Sequence, residues 1–219
     1  MDEQTPLQIQ GHELLRSLGA DEVDVALRSA PSAEYDHVNL VWQHVDTGAC
    51  IYVGSNAAAR SRSLLQSLSV RYIVNCQELS SMNYFEQCEK VGEDGRGEND
   101  FSCEYLRFDI EGECIHAIRE PDVVRTVFDP FLSFVDGAMR SGGHVLIHCY
   151  AGAHRAGAAT ISYLMHAEKQ GYSQALDAAC NARKEINPPP KLERLLRLLE
   201  RQLHHDSSQA ADVCEWSEK

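Results

Sequence analysis

His144-Val145-Leu146-Ile147-His148-Cys149-Tyr150-Ala151-Gly152-Ala153-His154-Arg155 decides both the fold and the chemistry of this chain. Its apolar centre, Val145-Leu146-Ile147, follows the Ser141-Gly142-Gly143 break and predicts a short buried strand. A loop of small residues comes next, with Gly152 at its middle. An alanine-rich helix is expected over residues 155–169. A strand that passes into a helix through such a loop leaves main-chain N–H groups pointing into the bend, at the positive end of the helix. A nest of that kind binds a tetrahedral dianion. Cys149 lies at its base, where amide dipoles favour thiolate, the nucleophilic form. Arg155 is the sixth residue after it and offers a planar, always-charged fork suited to two phosphate oxygens.

Cys149 and Arg155 are therefore the expected catalytic pair, and Tyr150, Ala151, Gly152, Ala153, His154 and Arg155 the expected substrate-binding residues. His148 is expected to fix the loop by hydrogen bonding and to tune the thiolate rather than to act as a base. Two plainer explanations compete. A lone cysteine after a buried strand is usually a small hydrophobe, but here glycine, arginine and a strand-to-helix switch accompany it. His144, His148, Cys149 and His154 could suggest a metal site, but they lack the two separated ligand pairs of a zinc centre. No metal is expected.

Outside this stretch, residues 39–42 and 50–54 predict strands joined by a turn at Asp46-Thr47-Gly48. Ser55 is placed to cap a helix running through Leu65. Residues 70–75 and 105–110 predict further strands. Residues 121–139 predict a long helix with Val123, Val124, Val127, Phe128, Phe131 and Phe134 recurring at helical spacing. A last helix is expected over 191–203, after the stop at Pro188-Pro189-Pro190. Strands alternating with helices imply an α/β domain with a mostly parallel central sheet flanked by helices. The expected organisation is a partly helical N-terminal extension over 1–36, one catalytic domain over 37–204 and a mobile polar tail over 205–219.

Composition narrows the function classes. The 219 residues carry a net charge of -13, which argues against a nucleic-acid partner. No apolar run of about 18 residues is present, so no membrane partner is expected. The eight cysteines form no Cys-x-x-Cys pair. The first residues lack the basic start and apolar stretch of a secretory leader. Reduced thiols and a cytoplasmic and/or nuclear location are the expectation.

The His-Cys-x5-Arg pattern of His148, Cys149 and Arg155 resembles the hallmark of the dual-specificity protein tyrosine phosphatases, here in an atypical form. Residues 51–55 with Ala58, residues 73–75, Tyr105-Leu106 and residues 183–188 resemble other parts of that family. The resemblance implies a phosphocysteine intermediate, no cofactor, and hydrolysis of phosphotyrosine and often phosphoserine or phosphothreonine in a phosphorylated protein substrate. Three positions depart from the pattern. Ala156 stands where the family has a serine or threonine that helps the thiolate leave, which implies slow breakdown of the intermediate. Gly112 stands at the place of the acid aspartate, so Glu111 is the first candidate for general acid and Asp109 the second. Pro189 replaces an asparagine expected to support the loop. A low-turnover or pseudo-phosphatase that binds phosphoproteins is the alternative.

Overall fold

Side chains alternate between two cores along the buried strands, as expected of a sheet covered on both faces. The computed structural model describes residues 37–86, 101–112 and 123–215, with backbone alone from residue 204 onward. The strands are β1 (Val38–Gln43), β2 (Cys50–Gly54), β3 (Val70–Asn75), β4 (Glu104–Arg107) and β5 (His144–His148). They form one sheet in the order β1-β2-β5-β3-β4. Only β1 runs antiparallel to its neighbour; β2, β5, β3 and β4 pair in parallel. This is the mostly parallel α/β sheet expected.

Ile51, Val53, Val74, Val145 and Ile147 face the larger core. It is filled by α3 (Val124–Arg140), α4 (Arg155–Ala167), α5 (Tyr172–Ala182) and α6 (Pro190–Glu215). Tyr52, Ile73 and Leu146 face the smaller core with α1 (Asn56–Arg60) and α2 (Arg62–Ser67). α4 is the hub. Every residue from Ala156 to Met165 is buried, and its small first turn lets it lie close against neighbouring elements.

Several elements differ from expectation for local reasons. The helix expected from Ser55 through Leu65 is two short helices, because Ser61 interrupts it. The Ser55 side chain caps α1 at the Ala58 N–H, and the Ser61 side chain caps α2 at the Leu64 N–H. β4 stops at Arg107, and Ile110 to Gly112 form a helical turn instead of continuing the strand. α5 falls in a stretch for which no element was expected; its buried positions are Tyr172, Ala175 and Ala179. α6 runs to Glu215, so most of the expected tail is helical. The expected N-terminal extension and residues 121–122 lie outside the described residues. No helix among the described residues is long and apolar enough to cross a membrane.

Candidate active site

β5 occupies the middle of the sheet, so the loop leaving its carboxyl end opens between the ends of β2 and β3. Crevices at that end of an open parallel sheet are where ligands bind. Cys149 follows β5 directly and is 2% exposed. The chain turns through residues 150–154 and enters α4 at Arg155. Gly152 permits the turn. Its φ is +68°, and a Cβ there would lie 2.5 Å from the carbonyl carbon and oxygen of Gly54. Conformation and space each exclude a larger residue.

Four consecutive carbonyls of the loop are tied to the scaffold. The Asn56 N–H donates to Tyr150 O at 3.0 Å, and the Asn187 N–H donates to Ala153 O at 3.2 Å. Between them, Arg183 Nη2 donates to Ala151 O at 3.1 Å and Nε to Gly152 O at 2.8 Å. In a trans peptide the carbonyl and the following N–H point to opposite sides, and the described residues contain no cis bond. Anchoring carbonyls 150–153 therefore turns the amides of Ala151, Gly152, Ala153 and His154 away from the scaffold.

Arg183 was quoted from sequence only as part of a resembling stretch; its task was not legible there. Its side chain is wholly buried and also donates to Asn39 Oδ1 on β1, with Glu185 at 3.8 Å. A buried guanidinium needs its donors satisfied, and here loop carbonyls satisfy two of them. Pro189 was expected to weaken the loop, but Arg183 and Asn187 supply support from the same segment.

Arg155 is held on two sides. Its Nη1 donates to Glu78 Oε2 at 3.0 Å, and its Nε lies 3.9 Å from Glu111 Oε2. Burial disfavours its charge, but Glu78, Cys149 and Glu111 outweigh that and raise its pKa above the ordinary arginine value. The Glu78 carboxyl is held below the usual range, first by its own backbone amide and then by Arg155. Glu78 had no sequence signal, because nothing in the pattern marks a loop glutamate. It is aimed by a braced loop. Asn75 Nδ2 donates to Asn83 Oδ1 at 2.9 Å and to Met82 O at 3.3 Å. Arg107 Nη1 donates to Glu78 O at 3.2 Å and Nη2 to Asn83 Oδ1 at 2.9 Å.

The two acid candidates differ in surroundings. Asp109 Oδ1 accepts the Gly112 N–H at 3.0 Å and so braces the turn at residues 110–112. Glu111 extends toward Arg155. His148 is wholly buried, and burial and then the Arg107 charge push its pKa down to about 3. An interaction of the ring with the Cys149 backbone opposes that lowering, while neither ring nitrogen has a partner in full hydrogen-bond geometry among the described residues. The His148 backbone is tied to the neighbouring strand end: the Cys76 N–H donates to His148 O at 2.8 Å. Cys76 follows β3 as Cys149 follows β5, one position beyond the Asn75–His148 pair. Burial and then the neighbouring Cys149 push the Cys76 thiol well up. Tyr150, Ala151 and His154 are exposed, whereas Gly152 and Ala153 are buried. No group of three or more His, Cys, Asp or Glu among the described residues is placed to hold a metal ion. His144 Nδ1 instead accepts the Cys50 N–H.

Residues 51–202 match the dual specificity phosphatase catalytic domain. The chain belongs to the dual specificity phosphatase family. Two curated relatives come from Arabidopsis thaliana. Dual specificity protein phosphatase 1B is 24% identical over 154 residues, covering 70% of this chain and 79% of its own length. Dual specificity protein phosphatase 1 is 28% identical over 153 residues, covering 70% and 67%. The crystal structure of human DUSP28 superposes with a TM-score of 0.55 at 20% identity, covering 80% of this chain and 99% of that one. That likeness establishes the dual specificity phosphatase fold. Family membership implies a phosphoric monoester hydrolase acting on phosphorylated substrates.

Proposed function

We propose that this dual specificity phosphatase hydrolyses phosphotyrosine and phosphoserine or phosphothreonine in proteins through a phosphocysteine intermediate. In this reading the loop amides and Arg155 bind the phosphate, and Cys149 Sγ attacks phosphorus as the ester oxygen leaves. Glu111 gives its proton to that oxygen. It then takes a proton from the water that attacks phosphocysteine, releasing phosphate and restoring the thiolate. Asp109 braces the acid turn. The domain runs over 37–204 and works in a reducing compartment, the cytoplasm or nucleus, in keeping with the free Cys50, Cys76, Cys103, Cys149 and Cys180. The observation that carries this reading is the anchoring of four loop carbonyls around Cys149, with Arg155 at the loop's end. The test is hydrolysis of an aryl phosphate and of phosphopeptides by wild type and by Cys149→Ser. Turnover is expected in the first and none in the second; equal rates would defeat it.

A second reading rests on Ala156, which is wholly buried in the first turn of α4 and offers no hydroxyl to the departing thiolate. The protein would then capture phosphoproteins with little turnover. Mass spectrometry during reaction separates the two. Accumulated phosphocysteine marks an enzyme slow in its second step, whereas phosphopeptide affinity with neither phosphocysteine nor released phosphate marks a binding module.

A further inference from the structure

Four large apolar side chains stand out as exposed among the described residues: Val45 at 91%, Leu79 at 75%, Tyr150 at 74% and Met82 at 66%. Val45 lies in the turn between β1 and β2. The other three sit on the two loops that meet at Arg155. Tyr150 follows the nucleophile, and Leu79 follows the Glu78 that binds Arg155. The Met82 carbonyl is bonded to Asn75, the residue paired with His148. Isolated exposed apolar residues are ordinary, but three carried on the two loops joined by the Glu78–Arg155 bond are a candidate recognition feature. The loop that displays Leu79 and Met82 is braced by Asn75 and Arg107, so its apolar side chains are presented on a fixed frame rather than a slack one.

We propose that Leu79, Met82 and Tyr150 form a specificity rim that takes an apolar side chain one or two positions from the phosphorylated residue of a protein substrate. This rests on the phosphoprotein reading above. Neighbouring residues of an extended peptide advance about 3.4 Å each, so a residue one or two positions away reaches the rim of a pocket that holds the phosphate. Two classes of ligand could use apolar residues beside a phosphate site: a peptide, or a phosphorylated lipid in a membrane. Charge favours the peptide. Glu78 and Glu111 flank Arg155 with side chains 56% and 47% exposed, and the whole chain carries -13. An anionic membrane surface would be repelled. The same carboxylates disfavour acidic residues beside the phosphorylated one.

The test uses the full chain with Cys149→Ser, so that affinity is read whether or not turnover is fast. Phosphotyrosine peptides carry leucine, serine or glutamate beside the phosphotyrosine. The leucine peptide is expected to bind about tenfold tighter than the serine peptide, with the glutamate peptide weakest. Leu79→Ser with Met82→Ser, both at exposed positions, is expected to erase the leucine preference and leave serine-peptide affinity unchanged. In the Cys149-containing protein the same pair is expected to leave aryl phosphate hydrolysis unchanged. Equal affinity for the leucine and serine peptides, or a preference that survives the double change, overturns the proposal. So does binding to phosphoinositide-containing vesicles that exceeds peptide binding and falls with the double change. An aryl phosphate rate of zero with the peptide preference intact would remove the catalytic reading and leave this rim standing.

Discussion

His148 carries a cost that depends on pH. Its imidazole is sealed from water beside Cys149 with a pKa of about 3, against 6.5 for an ordinary histidine. Unfolding restores the ordinary value, so the unfolded chain binds an extra proton between those limits. The stability associated with neutral His148 is whole above pH 6.5 and drains away as pH falls toward 3, by about 1.4 kcal/mol per unit. Denaturation at pH 6.5 and 4.5 should show wild type losing more stability than His148→Asn, by roughly 2 kcal/mol. Parallel losses would show that the buried ring is not responsible. For Glu111, the expected signature is leaving-group dependence. Glu111→Gln should slow an alkyl phosphate at least about a hundredfold and a nitrophenyl phosphate far less, since only the poorer leaving group needs the proton. Equal slowing would remove Glu111 as the acid. At this scale the sequence discloses what chain-local chemistry discloses. Cys149, Gly152 and Arg155 lie within seven positions, and the roles proposed for them were readable from their types. Glu78 reaches the same loop from a distant segment with nothing in its own neighbourhood to point there, and residues 183–188 stand out only by resemblance, which leaves the bonds made by Arg183 and Asn187 unread.

The loop between β5 and α4 behaves as an element in its own right, shaped by one glycine and by carbonyl anchors. Gly152→Ala would meet both a left-handed backbone angle and the Gly54 carbonyl. A loss of about 2–4 kcal/mol is expected in urea denaturation, together with loss of phosphate binding. Retention of both would show that the close approach to Gly54 relaxes freely. Among the regular elements, β2 and β5 were readable because apolar runs bounded by turn residues mark strands buried on both faces, and β3 because of its β-branched Val70, Ile73 and Val74. α5 was not. Its inward positions are Tyr172, Ala175 and Ala179, and alanine carries too little apolar contrast to register as periodicity. The division between α1 and α2 was hidden for a different reason: apolar spacing continues across Ser61, and only the capping bond to Leu64 reveals a new start. α6 continues past Leu203, the last of its apolar positions expected from sequence, to Glu215.

Across the whole molecule, Arg183 joins parts far apart in the chain: Asn39 on the antiparallel edge strand and the Ala151–Gly152 turn of the central loop. Lysine cannot span these acceptors. Arg183→Lys should cost about 3 kcal/mol in denaturation, and kcat/KM on an aryl phosphate should fall about a hundredfold, because a displaced loop misaims its amides. A wild-type rate with lowered stability would confine Arg183 to the fold. The placement of this arginine also orders events during synthesis. Cys149 emerges from the ribosome more than thirty residues before Arg183 and Asn187 do. Until those two arrive, two clamps on the loop's main chain are missing, and the sulfur sits on an uncast mould. A nascent or truncated chain ending between them would hold Cys149 without two of the residues that anchor its loop. The segment that follows α5 thus acts as the licence for the loop that precedes α4.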